Sequence, residues 1–324
     1  MVSTYFFSPE TGLKRDVTRA EMHSILKKGH GTLWVDLDEP TDLENELLVE
    51  IFNFHELAIE DCLNDQCGSK MDDYGDHLFL NLEIVALKMN EEKSRELVSS
   101  ELSIFLGANY IVTHHKQTVA SVLADRLAAE RKPQTQLGEG ASALLHTILD
   151  HLVDSYIPIV HHYEDKTDEI ETDIFNDGAD YLPKLMRVKQ DIFKLRRIFG
   201  PQRDILYTLS RYRTLINKEN ELYYRDVYDH LARVHVMTDT LYENLTSILQ
   251  VYFSYSSTKL NDVMKRLTIM ATLTMPALLI FSLYGMNFDW MPFLHHPWAF
   301  WISQGITFLM AVGMLIWMKI KKWI

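Results

Sequence analysis

Two long uncharged stretches near the C-terminus constrain this chain more than any other feature. Leu267 to Tyr284 (LTIMATLTMPALLIFSLY) is 18 residues without a charge, and Trp298 to Met318 (WAFWISQGITFLMAVGMLIWM) is 21. As helices rising about 1.5 Å per residue, both reach across a hydrocarbon layer roughly 30 Å thick. Residues 285–297 between them (GMNFDWMPFLHHP) are rich in turn formers and aromatics and read as an exposed loop. Trp290, Trp298, Trp301, Trp317 and Trp323 fall where a membrane interface would lie. The sequence therefore predicts a two-helix membrane hairpin over 267–324, preceded by a large domain over 1–266.

Basic residues give the hairpin a direction. Lys259, Lys265 and Arg266 precede the first span, Lys319, Lys321 and Lys322 follow the second, and the loop has no Lys or Arg. The positive-inside rule then puts both termini in the cytoplasm, in a cell (inner or plasma) membrane. The N-terminus (MVSTYFFSPETGLKRDV) has no apolar core typical of a signal peptide.

The formal charge is -13. From Leu267 onward the charged side chains are Asp289, Lys319, Lys321 and Lys322, a net of +2, so residues 1–266 carry -15. Such a domain repels nucleic acid and attracts cations. Cys62 and Cys67, spaced C-x4-C without a second pair, do not make a zinc-finger pattern and read as free thiols. Walker A, GxSxG, HExxH and Rossmann patterns are all missing from the sequence, so an enzyme or an ATP-driven pump is disfavoured.

Upstream, the first 115 or so residues read as mixed α/β. Thr32–Leu37, His77–Leu87, Glu101–Leu106 and Tyr110–His114 have strand patterns, and Thr41–Phe54 and Glu56–Asn64 look helical. Ser142–Asp177 and Tyr181–Phe199 read as two helices, with a kink at Pro158 in the first and a stop at Gly200–Pro201 after the second. Gly is then absent until Gly285, and Pro until Pro276. Val227, Leu231, Val234, Thr238, Leu241, Leu245, Ile248 and Tyr252 step by fours and threes, a heptad-like seam. One continuous helix is expected from about Leu222 to Leu283, near 90 Å long at roughly 1.5 Å per residue. A seam this narrow needs partners, so a parallel oligomer is expected, with an intramolecular bundle using the preceding helices as the alternative.

On the first membrane helix, Met264, Leu267, Ala271, Met275, Leu278 and Ser282 share an arc of about 80° at about 100° per residue. If identical helices ring an axis, this face lines a mostly apolar tube that can gate by dewetting. Packing against the second span is the plainer account of the same residues.

At the outer end of that helix stands Tyr284-Gly285-Met286-Asn287. Here the chain resembles the CorA family of divalent-cation channels, whose signature is GMN after the first of two C-terminal spans. LTIMATLTMPALLIFSLYGMNF, the MP that follows, the terminal Lys321-Lys322-Trp323-Ile324, and Tyr224-Arg225-Asp226-Val227-Tyr228-Asp229-His230 carry the resemblance. The zinc-transporting ZntB branch is a near relative.

The resemblance implies an α+β membrane protein that assembles as a funnel-shaped homopentamer, each stalk helix continuing into the pore. It implies that Gly285, Met286 and Asn287 form the pore entrance, and that Asn261, Met264, Leu267, Ala271 and Met275 line the path. Neutral amide oxygens suit Mg²⁺, which gives up its water reluctantly, because they can bond its hydration shell without stripping it. The resemblance further implies regulatory Mg²⁺ between protomers, at positions matching Glu60, Asp61, Asp150 and Asp226. The cargo is expected to be Mg²⁺, with Co²⁺ and Ni²⁺. Zn²⁺ transport of the ZntB kind, with or without proton coupling, is the alternative, and a membrane-tethered scaffold that conducts nothing is the third reading.

Two departures bear on conduction. Leu278 stands where Thr is common in the family, and Phe293-Leu294 where an acid is common, which leaves Asp289 to attract cations at the mouth. His295-His296 in the loop are a possible Zn²⁺ or Ni²⁺ pair but read as solvent-exposed. His114-His115 and His161-His162 lack metal-site spacing, and Asp72, Asp73 and Asp76 lack an EF-hand pattern.

Overall fold

The structure is a computed structural model that describes residues 1–64, 68–90, 94–176, 181–216, 218–287, 296–321 and 323, with the backbone alone at 174–176 and 218. It divides into two compact units, Met1–Thr246 and Ser247–Ile324. The second begins upstream of Leu267.

In the first unit, seven strands form one sheet: β1 (Val2–Ser8), β2 (Gly12–Arg15), β3 (Thr32–Asp38), β4 (Lys70–Asp73), β5 (Leu78–Met89), β6 (Arg95–Leu106) and β7 (Tyr110–His115). Their order is β2-β1-β3-β7-β6-β5-β4, and β3·β7 is its parallel pair. Strand alternation sends β3 side chains to opposite faces. Leu33, Val35 and Leu37 join a core with Met22 of α1 (Arg19–Lys28), Leu47 and Leu48 of α2 (Asp42–Glu50), and Ala58 and Cys62 of α3 (Glu56–Leu63). Trp34, Asp36 and Asp38 alternate with them. Asp36 and Asp38 meet Arg126 of α4 (Ala120–Arg131).

The four strands expected from the sequence are present, extended by a few residues. β1, β2 and β4 were not expected. β2 and β4 are four-residue edge strands carrying charges (GLKR, KMDD), too short and polar to show a period.

Beyond α4 come α5 (Pro133–Gln136), α6 (Ala141–Asp154), α7 (Ile157–Asn176), α8 (Leu182–Leu209) and α9 (Glu221–Tyr284), with a short 3₁₀ turn at Lys218–Asn220. The single helix expected over Ser142–Asp177 is two. Pro158 is the second residue of α7, a position where a missing N–H costs nothing. Conversely, Gly200–Pro201 does not end α8. Leu195, Ile198 and Phe199 before Pro201, and Gln202, Ile205 and Leu206 after it, continue one buried stripe. That packing outweighs a break worth about 3 kcal/mol.

The stalk helix is continuous, as expected. Within the first unit its seam is buried: Val227, Leu231, Thr238 and Leu245 are 0% exposed. The cover comes from the chain's own helices. Tyr224 donates to the Ser142 carbonyl of α6 (2.7 Å), Arg196 of α8 pairs with Asp239 (2.7 Å), and the Tyr207 and Tyr228 rings lie 5.6 Å apart. The seam thus serves an intramolecular bundle. Thr238, its polar member, donates to the Val234 carbonyl (2.8 Å) and leaves nothing unsatisfied.

In the second unit, the last part of α9 and α10 (Ala299–Ile320) are long and apolar enough to cross a membrane. On α9, Ile269, Thr272, Leu273, Pro276, Ala277 and Ile280 are the sheltered positions; on α10, Ser303, Gln304, Thr307, Ala311, Met314 and Met318 make a matching stripe.

Candidate pore face and acidic cluster

The sheltered stripe of α9 is centred nearly opposite the arc of Met264, Leu267, Ala271, Met275, Leu278 and Ser282, at about 100° per residue. All of that arc, with Asn261, is exposed in the single chain, and its large apolar members run from 59% at Met264 to 65% at Leu278. Packing against the second span therefore does not occupy it. The helix runs on through Pro276, which lies on the sheltered stripe and not on this face. Thr268, Thr272 and Thr274 return their hydroxyls to Met264, Thr268 and Met270 carbonyls.

The arc leads to the Gly-Met-Asn turn. The Gly285 amide donates to the Phe281 carbonyl (2.9 Å) and closes α9. A Cβ on Gly285 would sit 3.1 Å from that carbonyl oxygen, so a small residue lets the chain leave the helix here. Met286 donates to the Leu283 carbonyl, and Asn287 follows, exposed. Asp289, Phe293, Leu294 and His295 lie outside the described residues. His296 Nδ1 accepts the Trp298 amide (3.3 Å) at the approach to α10, a capping role.

The four acids expected to hold regulatory metal fall into two places. Asp150 on α6 and Asp226 on α9 come together. Asp150, Asp154 and His230 offer ligand atoms all within 4.8 Å of one another, and His230 Nε2 is 3.9 Å from Asp226 Oδ2. His146 on α6 lies in the fields of both Asp150 and Asp226, yet burial pushes its pKa down. Two carboxylates and one imidazole, with the Asp226 carboxylate beside them, suit a divalent cation, oxygen for Mg²⁺ and nitrogen for the softer Co²⁺, Ni²⁺ or Zn²⁺. Asp154 and His230 were not singled out from the sequence. Their i,i+4 spacing from Asp150 and Asp226 places them on the same helix faces and is the signal that would have found them.

Glu60 and Asp61 stand elsewhere, on α3. Glu60 is exposed. Asp61 is paired with Lys70 of β4, which also lies 3.0 Å from Asp72. Burial works against the Lys70 charge, but its bonds to Asp61 and Asp72 raise its pKa. The other groups noted in the sequence are spent on local partners. Asp73 accepts the Gly75 amide, Asp76 contacts His77, and His161 contacts Glu164. Cys62 is a free buried thiol, pushed up to about 12 by desolvation, and Cys67 lies outside the described residues.

The protein-family model described as "CorA-like Mg2+ transporter protein" matches residues 29–321. YfjQ of Bacillus subtilis, named as a metal ion transporter, is 32% identical over 90% of this chain and 89% of its own. The cobalt/magnesium transport protein CorA of Thermotoga maritima is 31% identical over 85% of this chain and 78% of its own. The complete structure of the CorA magnesium transporter from Methanocaldococcus jannaschii superposes with a TM-score of 0.83 at 21% identity, covering 100% of this chain and 99% of that one. With the family model spanning nearly the whole chain, the α/β domain, the long helix and the two spans have their counterparts, and the chain belongs to the CorA-like family of divalent metal transporters.

Proposed function

We propose that this chain is a Mg²⁺ uptake channel, also passing Co²⁺ and Ni²⁺, that assembles as a homopentamer around the exposed face of α9. The observation that carries this reading is the bare arc from Asn261 to Ser282, which lies opposite the sheltered stripe of α9 and leads to Asn287. Five such arcs around an axis make an apolar tube crowned by amides. Asn287 side chains bond the water shell of an entering ion, and their neutrality keeps the site weak enough for release. Met264, Leu267, Ala271 and Met275 offer no ligand to a bare ion. The tube conducts when wet and closes when dry. Both termini lie in the cytoplasm of a cell membrane, and the names of the relatives support Mg²⁺ and Co²⁺ as cargo.

Regulation belongs to the acids. Mg²⁺ bridging Glu60 and Asp61 of one protomer to Asp150 and Asp226 of the next offsets the repulsion between domains that each carry -15. Loss of that metal favours the splayed, open state, a population shift driven by differential affinity. Metal arriving at Asp61 has to displace Lys70.

The test is uptake into liposomes holding the purified protein, with Mg²⁺ and Zn²⁺ in competition, with and without a pH gradient. The Mg²⁺ channel reading expects Mg²⁺ flux that Zn²⁺ does not replace and a pH gradient does not drive. Zn²⁺ flux that follows the proton gradient would assign the chain to the zinc-carrier reading instead.

A further inference from the structure

Away from the metal cluster, the far face of the sheet buries a group of charges that the transport reading does not use. His115 at the end of β7 is 1% exposed, and Asp36 beneath it is 0% exposed. Nδ1 of His115 lies 3.0 Å from the Gln117 carbonyl oxygen, and Nε2 lies 3.1 Å from Asp36 Oδ1. A carbonyl oxygen cannot donate, and neither can an ionised carboxylate. Asp36 has every reason to be ionised: Thr113 donates to its Oδ1 (2.5 Å) and Arg126 to its Oδ2 (3.1 Å). Both ring nitrogens of His115 therefore carry protons. Asp38 completes the group, 3.4 Å from His115 Nδ1 and 3.3 Å from Arg126, with Thr118 donating to its Oδ1 (3.1 Å). Two carboxylates and two cations balance, as buried charges must.

We propose that His115 is a buried imidazolium that fastens α4 to the sheet, and that losing its proton at alkaline cytoplasmic pH releases this fastening. Arg126 is the α4 side of the latch, and Asp36 and Asp38 are its sheet side. Without the proton, the group holds one uncompensated negative charge, and a ring lone pair faces an oxygen at about hydrogen-bond distance. Both are costly in a dry interior. The surroundings agree. Burial works against the charged ring, but the bond to Asp36 and the charges of Asp36 and Asp38 outweigh it and raise its pKa from 6.5. Its chain neighbour His114, bonded to Asn45, is pushed down to about 4 by burial and by His115 and Lys116, so it stays neutral. Among the described residues, other ionisable groups near the latch include Glu39, whose amide donates to the His115 carbonyl, Tyr5 on β1 and Arg15 on β2, both reaching Glu130 of α4, Asp125 of α4 bonded to His151 of α6, and Glu101 beside Leu102, the β6 partner of His115.

The sign follows from a raised pKa. The stabilisation is complete below 6.5 and is lost as pH rises through the higher folded value. The experiment is thermal unfolding of the full-length protein in detergent from pH 6 to 9, for wild type, His115→Gln and Asp38→Asn. The wild-type midpoint is expected to fall by about 3 °C or more above pH 6.5, and that of His115→Gln to lose this slope. Asp38→Asn removes one carboxylate and brings the folded value closer to 6.5, so its fall is expected to be smaller than in wild type and to end at lower pH, a change that a purely structural role would not produce. A flat wild-type profile, an unchanged slope in His115→Gln, or an unchanged amplitude and end point in Asp38→Asn would overturn the proposal. If His115→Gln does not fold, the amplitude and end point in Asp38→Asn decide.

Discussion

Asn287 shows how much a single amide is asked to do. Its value lies in hydrogen bonds to a hydrated ion, and bonds of this charge-assisted kind are worth about 1.5 kcal/mol or more each. Asn287→Ala should therefore cut Mg²⁺ flux by about tenfold or more at low Mg²⁺, measured in liposomes. Asp61 and Lys70 make the opposite point, because a neighbour holds the metal ligand back. Lys70→Gln should move inhibition by domain-side Mg²⁺ to lower concentration by up to about fivefold, since a partly exposed pair contributes about 0.2–1 kcal/mol. Replacing Asp61 and Asp226 together with Asn should abolish that inhibition, and unchanged inhibition would refute their assignment. Asp226 and Asp150 came from the family resemblance, and both stand near His146, on α9 and α6. The Lys70 partner was not legible, because it sits on β4, a four-residue edge strand with no readable period.

At the scale of elements, α9 was the most legible part of the chain. Long stretches without Gly or Pro leave nothing to stop a helix, and Pro276 inside it is tolerated near the sheltered stripe. What the pattern left open was which of two partners the seam would choose. Spacing alone cannot tell a neighbour in the same chain from a second copy, and the answer came from α6 and α8 lying alongside. The same ambiguity hid the continuation of α8 through Pro201, where tertiary packing overrides a local breaker. The two faces of α9 now predict different responses. Leu231→Ala, in the buried seam, should destabilise the first unit by about 2–5 kcal/mol, seen as a lowered unfolding midpoint. Leu267→Ala, on the bare arc, should leave that midpoint unchanged and instead alter leak flux through the pore.

For the whole molecule, an exposed apolar face in one chain is an incomplete object. Contiguous apolar surface of this kind calls for a partner. In the proposed assembly, lipid would cover the outward faces of the hairpin and further copies of the chain would cover the arc. The number of copies was never legible in spacing or composition and rests on the family resemblance alone. The direction of control rests on the resemblance as well: in the proposed mechanism, domains that each carry -15 are held together by divalent cations and open when these leave. Flux of Mg²⁺ into liposomes carrying the purified full-length protein, with Mg²⁺ varied on the side of the large domain, tests this account most directly. The account predicts rapid flux when that side is depleted of Mg²⁺, falling as Mg²⁺ is restored. No flux at any domain-side Mg²⁺ concentration, from protein shown to be folded and inserted, would contradict it.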